Sequence, residues 1–216
     1  AWSDPFTFHT APDFTQYVYK MPFTFSGYTA DETLTNFPAL VVLSERLNGF
    51  SYSQFVSADG GDLRFADDTG APLDHEVETW NPEGDSYVWV RIPQFTSGTN
   101  IWAYWRNKGA FDAPVYTGNG AVWDADFCGV FHLSPALEDS TLNANLIADS
   151  ATTNAAGAVS LARGFNGSAF LTAQTSENLS VSEAFTFSFW MKTSSTAQMY
   201  LYGRDPGTGD RQHAII

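Results

Sequence analysis

Cysteine occurs once in 216 residues, as Cys128. A single thiol excludes an internal disulfide framework and any zinc site built on cysteine pairs. Its neighbours Phe127, Val130 and Phe131 are apolar, so the sequence predicts a buried, inert thiol. Positive charge is also scarce: 10 Lys and Arg stand against 24 Asp and Glu, a net charge of -14. No basic stripe offsets that balance, which argues against nucleic acid as a partner. Long apolar runs are missing, and none approaches the roughly 18 residues of a membrane span. No basic-then-apolar leader opens the chain. The start Ala1-Trp2-Ser3 suits a mature protein whose signal peptide was removed, and the expected setting is extracellular or cell-surface. Helical periodicity is lacking as well, since no stretch offers four clean turns.

Aromatic residues, by contrast, reach 16%, with 18 Phe, 9 Tyr and 7 Trp. That composition suits pleated, half-buried surfaces. Short β-like runs recur at Tyr17–Phe25, Phe37–Leu43, Leu63–Ala66, Leu73–Trp80, Tyr87–Ile92, Ile101–Trp105 and Phe127–Leu133. Turn residues separate them at Asp59-Gly60-Gly61, Asp68-Thr69-Gly70, Asn81-Pro82-Glu83-Gly84 and Ser97-Gly98-Thr99. Between Glu138 and Gly164 the composition shifts to Ala, Ser, Thr and Asn without an aromatic residue. Period-two alternation returns at Phe185-Thr-Phe-Ser-Phe, predicting a strand over Phe185–Met191, with a second at Met199–Tyr202.

Six blocks in order carry a family resemblance. They are Asn36-Phe-Pro-Ala-Leu-Val-Val-Leu, Gly61-Asp-Leu-Arg-Phe-Ala-Asp, His75-Glu-Val-Glu-Thr-Trp80, Val88-Trp-Val-Arg-Ile-Pro93, Ile101-Trp-Ala-Tyr-Trp105 and Gly129-Val-Phe-His-Leu133. Over about residues 15–133 the chain resembles an uncharacterised bacterial domain family of secreted and cell-surface proteins. That family often precedes laminin-G or concanavalin A-like lectin domains. Its members usually carry Tyr where His75 stands and Gly-Asn where Arg106-Asn107 stands. Further on, Gly164-Phe-Asn-Gly-Ser-Ala-Phe170 is similar to the opening strand of concanavalin A-like lectins. Leu179-Ser-Val and Phe185 to Lys192 are similar to the next core strand. The resemblance implies an all-β chain: a jelly-roll-like antiparallel β-sandwich over 1–135, then a linker or irregular opening segment over 136–163. The N-terminal part of a concanavalin A-like (laminin-G-like) β-sandwich would occupy 164–216. So short a second part leads us to expect that the polypeptide continues, or that another chain completes it through the C-terminal strands.

The chemistry concentrates in Leu73–Ile92. As a strand, Leu73, His75 and Val77 share one face, while Glu76, Glu78 and Trp80 share the other. A hairpin closed through Asn81–Ser86 would set Glu78 opposite Trp89 and Glu76 opposite Arg91. Two readings stay open. Glu76, Glu78, Trp80, Trp89 and Arg91 form a platform for pyranose rings, or Glu76 pairs with Arg91 and the indoles pack under a loop. The two glutamates are poorly placed as a glycosidase pair, because residues at i and i+2 flank one side of a substrate only. Asp59, Asp62, Asp67 and Asp68 could offer oxygen ligands to calcium, as could Asp124, Asp126 and Asp139, although turn chemistry explains the same residues. His9, His75, His132 and His213 stand far apart, and the two in apolar strands, His75 and His132, read as hydrogen-bonded core imidazoles. Trp102 and Tyr104 either extend an aromatic face or fill the second side of a strand buried twice. The expected function is a non-catalytic extracellular module for glycan binding or adhesion, with a polysaccharide or glycoconjugate as partner. The alternative is a structural subunit of a surface assembly, contacting other copies or other surface proteins. A glycoside hydrolase comes third.

Overall fold

The computed structural model describes residues 11–109, 112–134, 136–174, 184–196, 201–204 and 213–215. Apart from 3-10 turns at Phe14–Gln16, Tyr52–Gln54 and Val115–Thr117, the regular structure of these residues is β. The first seven strands are β1 (Tyr17–Thr24), β2 (Leu34–Leu43), β3 (Arg64–Asp67), β4 (Pro72–Leu73), β5 (His75–Thr79), β6 (Ser86–Phe95) and β7 (Asn100–Asn107). They form two antiparallel sheets, one in the order β1-β7-β3-β4 and one in the order β2-β6-β5. The run read from sequence as one strand, Leu73–Trp80, is two: Asp74 is a corner at which the chain leaves one sheet for the other. A strand that changes sheets in this way ties the two layers of a sandwich together.

Alternation sets what faces inward. Ala39, Val41 and Leu43 of β2, Val88, Val90 and Ile92 of β6, and Ile101, Ala103 and Trp105 of β7 are all buried in a common core with Phe65 and Leu73. Each large apolar side chain so buried contributes about 1.5–3 kcal/mol relative to exposure. Trp105 lies between Tyr19 and Phe55, stacked on both at 5.8 and 5.9 Å, and its indole N–H donates to Gln54 Oε1 at 3.0 Å. A buried indole needs such an acceptor. Gln54 is itself fixed by a capping box, since its Oε1 also accepts from the Ser51 backbone N–H.

Trp80 takes no part in the outer face of the sheet. The register slips between Val77 and Thr79. Beyond this irregularity Trp80 packs edge-on against Tyr52 and Phe55, donating its indole N–H to the Ala58 carbonyl at 3.0 Å. Its ring lies over Gly60, whose φ is +77°, and a Cβ at Gly60 would come within 2.6 Å of it. The loop 55–62 is thus shaped around an indole that the alternation alone assigns elsewhere.

The segment Phe127–Leu133, expected as a strand, makes a single bridge, Phe131 with Asp139. Its backbone groups turn to side chains instead: Asp139 Oδ1 accepts the Val130 N–H at 2.9 Å, and Asn145 Nδ2 donates to the Cys128 carbonyl at 2.8 Å. Strands β8 (Ile147–Asp149) and β11 (Leu171–Ala173) pair with each other, as do β9 (Thr153–Ala156) and β10 (Leu161–Gly164). The stretch Gly164–Phe170, expected as a strand, is mostly the loop between β10 and β11. Ser160 Oγ is 2.7 Å from Thr79 Oγ1 and 2.9 Å from Ser134 Oγ, which joins the β9–β10 pair to the edge of the second sheet.

The chain divides into two compact units, Ala1–Ala184 and Phe185–Ile216. In the second, β12 (Tyr202–Arg204) pairs with β13 (His213–Ile215). The segment expected as a strand, Phe185–Met191, is not assigned to regular structure. The rings of Phe187 and Phe189 lie 5.3 Å apart, and Trp190 is 83% exposed. His9, Leu179–Val181, Met199 and Tyr200 lie outside the described residues.

Gly60 and Gly70 both have positive φ, but only Gly60 faces a ring. Gly70→Ala should cost about 1 kcal/mol from left-handed strain alone. Gly60→Ala should cost at least about 2 kcal/mol, because Trp80 must also move. Urea titrations of both variants check this; equal losses would mean that the indole yields freely.

Candidate functional site

The outer face of the second sheet carries the residues singled out from sequence. In the observed register Glu76 lies opposite Trp89, and Val77 opposite Val88. The Arg91 backbone N–H donates to the Asp74 carbonyl at 2.9 Å. The expected pairing of Glu76 with Arg91 is therefore two residues out. A slip of two keeps every side chain on its face and changes only its partners. Arg91 faces Asp74, with Nη1 3.9 Å from Oδ2, and donates from Nη1 to the Ala121 carbonyl at 3.1 Å.

The face around Glu76, Glu78 and Trp89 is roofed. The segment from Gly120 to Asn145 crosses it and brings Trp123, His132 and Ser140 into contact with the two carboxylates. His132 Nε2 is 3.2 Å from Glu76 Oε1, and Nδ1 is 3.2 Å from Glu78 Oε2. Both ring nitrogens meet acceptors that have no proton to give, so both are donors and the ring is an imidazolium. Glu76 also accepts from Trp123 Nε1 at 2.7 Å and Ser140 Oγ at 2.6 Å. Glu78 accepts from Trp89 Nε1 at 2.7 Å. Trp89 stacks on His132 at 6.0 Å and Trp123 tilts against both.

Little of this cluster meets water: the side chains of Glu76, His132 and Glu78 are 17, 14 and 3% exposed. Burial alone would drive the imidazolium toward neutrality, but the bonds to Glu76 and Glu78 outweigh it and raise the His132 pKa to about 9. For Glu76, burial pushes upward, while His132, Ser140 and Trp123 together hold the carboxyl below its ordinary value. The arrangement is one cation between two anions, with both oxygens of Glu76 and Oε2 of Glu78 engaged. It holds the roof down on the sheet face. Glu76, Glu78 and Trp89 thus lie under a loop, as one of the two readings has it, while the ion pair of that reading belongs to Asp74 and not to Glu76. Trp123, His132 and Ser140 were not among the residues expected here. Only the apolar surroundings of His132 marked it, as a hydrogen-bonded core imidazole, without naming its partners.

The aspartates considered as calcium ligands do not converge, and the described residues include no group of three or more acidic, His or Cys side chains arranged to hold a metal. Asp62 is fully buried and accepts the N–H groups of Val56, Ser57 and Arg106 at 2.8–3.1 Å. Asp59 caps its own turn through Ser57 and Gly61, and Asp67 does so through Thr69 and Ala71. Asp68 accepts from Trp102 Nε1 at 3.3 Å. Asp124 accepts the Asp126 N–H, and Asp139 the N–H groups of Val130, Thr141 and Asn145. Arg106 adopts φ +61°, a conformation glycine takes without strain, so the Gly-Asn of the resembling family suits this backbone; here Asp62 secures the turn instead.

Two further expectations change. Cys128 is exposed, because the irregular backbone of 127–133 turns it outward. His75 is buried, but among the described residues its Nδ1 has no hydrogen-bond partner. Burial against Phe65 and Tyr116, with Arg64 nearby, keeps this ring neutral and lowers its pKa to about 3.

A family described as a domain of unknown function (DUF2341) matches residues 59–125. The matched stretch holds Asp62, Asp74, Glu76, Glu78, Trp89, Arg91 and Trp123, while His132 and Ser140 lie beyond it. No curated protein and no solved structure matches the chain significantly.

The two histidines fix the pH dependence of stability. Between pH 6.5 and about 9 the folded chain keeps a proton on His132 that the unfolded chain has lost, so stability falls as pH rises. Between pH 6.5 and about 3 the unfolded chain binds a proton that folded His75 refuses, so stability falls as pH drops; Glu76 adds to the loss at the acid end. The melting temperature should peak near pH 6.5. His132→Gln should flatten the alkaline limb and His75→Tyr the acid limb; a wild-type profile level from pH 6.5 to 9 would contradict the assignment. Asp62→Asn should cost about 3 kcal/mol in calcium and in chelator alike. A loss confined to calcium-containing buffer would make this carboxylate a ligand.

Proposed function

We propose that the chain is a non-catalytic module of the cell surface or extracellular space that binds neutral polysaccharide through the outer face of its four-stranded sheet. The observation that carries this reading is the aromatic row on β7. Trp102 and Tyr104 project from the side opposite the fully buried Ile101 and Ala103, and both are half-buried. Phe14 packs on Tyr104 with ring centroids 4.4 Å apart, and Tyr17 meets it edge-on at 6.2 Å. Lys20 sits 4.8 Å from the Trp102 ring centre, and Asp68 accepts its indole N–H. Flat rings rimmed by hydrogen-bonding charges suit the apolar C–H faces and the hydroxyl edges of pyranoses. The net charge of -14 favours neutral chains over polyanions. The engagement of Glu76 and Glu78 by one imidazolium supports binding over glycoside hydrolysis.

A second reading, contact with other proteins in a surface assembly, draws on the second unit, where Phe185, Phe187 and Phe189 are 42–45% exposed. Affinity electrophoresis in gels containing neutral polysaccharides separates the two. Retardation of the wild type, lost in Trp102→Ala and Tyr104→Ala with melting temperatures within a few degrees, is the expected result. Self-association without retardation in any gel would favour assembly.

A further inference from the structure

The roof stops at Ala121, and just beyond it the sheet face opens into a depression of about 250 Å³ lined by Asn36, Pro72, Leu73, Asp74, Arg91 and Pro93. Its origin is local. Thr35 pairs with Gln94 and Phe37 with Ile92, so Asn36 lies opposite Pro93. Pro93 has no N–H to donate, which interrupts the ladder there. Asn36 leaves the extended region altogether, at φ +52°. Asparagine tolerates that conformation, and a strained residue at the lip of a cavity is a recurrent feature of binding sites.

Three polar side chains from three parts of the fold reach this depression with hydrogen-bonding capacity to spare. Asn36 comes from β2, Asp74 from the corner between β4 and β5, and Arg91 from β6. Among the described residues, neither the Asn36 amide nor the Asp74 carboxylate has a hydrogen-bond partner, the latter meeting only Arg91 at 3.9 Å. Arg91 uses one of its five N–H groups on the Ala121 carbonyl and has no other hydrogen-bond acceptor among the described residues. Pro72, Leu73 and Pro93 supply apolar walls. Burial pushes the Asp74 carboxyl upward against the pull of Arg91, consistent with a partly dehydrated recess.

Charge decides the ligand class. A carboxylate or phosphate approaching Arg91 meets Asp74 beside it and a chain of net charge -14 around it. A cation approaching Asp74 meets Arg91. A neutral polyol suffers neither repulsion: adjacent hydroxyls can donate to Asp74 and accept from Arg91, with Asn36 doing either. The volume suits one ring rather than an extended chain. We infer that the depression between Asn36, Asp74 and Arg91 is a binding site for a single neutral sugar residue, reading a pair of adjacent hydroxyls. This extends the glycan reading to a second place in the fold and does not depend on the Trp102 face.

The test is ligand-observed NMR on the full chain with the methyl glycosides of glucose, galactose and mannose, and with acetate and inorganic phosphate as anionic probes. Saturable binding of at least one glycoside is expected, with Kd on the order of millimolar. Asn36→Gly, which suits the backbone, and Asp74→Asn should each weaken it by about tenfold or more while the protein stays folded. The comparison is made in the Trp102→Ala background, so that the aromatic face adds nothing to the signal; retardation by polysaccharide should persist in Asn36→Gly and Asp74→Asn alone, so that either site can fail without the other. Undiminished binding by folded Asn36→Gly and Asp74→Asn overturns the proposal. So does the absence of glycoside binding up to roughly 0.1 M, or binding of acetate or phosphate in preference to sugar.

Discussion

The segment from Gly120 to Asn145 has one β-bridge among its described residues and depends on charge and indole contacts for its place. His132 enters between Glu76 and Glu78, both on the short edge strand β5, and each ring nitrogen finds a carboxylate. Removing one member of such a buried group leaves an uncompensated charge and costs about 3–5 kcal/mol, a large part of a domain's stability. The net contribution of the intact group is smaller, because both anions and the cation had to leave water. Its consequence is positional. The roof lies where the imidazolium fixes it, and Asp139, Asn143 and Asn145 then tie the rest of the segment to its own backbone.

This arrangement determines which surfaces remain for function. An uncovered second sheet would present Trp89 with two carboxylates, a plausible place for a sugar. Once Trp123 and His132 close over it, two other surfaces of the sandwich offer themselves: the outer side of β1 and β7, and the recess at the Asp74 corner. The two differ in chemistry: one is flat and aromatic, the other concave and polar. They suit the two ways a neutral glycan is held, by ring stacking along a chain and by hydrogen bonds around one residue.

Much of the sandwich was legible in the sequence because strand alternation and turn residues are local signals. The inward set Val88, Val90 and Ile92 and the outward set Glu76, Glu78, Trp89 and Arg91 follow from period two, and the two-residue slip in register left both sets intact. What alternation does not encode is the irregularity before Thr79, which sends Trp80 inward over Gly60. The division of one run into two strands at Asp74 was equally hidden, since a corner needs no turn residue when the chain merely changes sheets. The cluster itself joins residues 76 and 78 to 123, 132 and 140, and no spacing rule connects positions so far apart. The apolar neighbours of His132 marked it as a hydrogen-bonded core side chain but did not reveal that its partners are two carboxylates. Phe185-Thr-Phe-Ser-Phe shows the opposite failure, a strong local pattern over residues that are not assigned to a strand.

The charge state of His132 is the most direct measure of this account. Two-dimensional ¹⁵N NMR of the imidazole nitrogens, followed from pH 5 to 10, reads it without perturbing the cluster. Both nitrogens should remain protonated at pH 8 and titrate together near pH 9, with cross-relaxation to the indole protons of Trp89 and Trp123. A neutral ring at pH 8 titrating near 6.5 would show that no imidazolium joins Glu76 to Glu78, and the roofed sheet face would lose its physical basis.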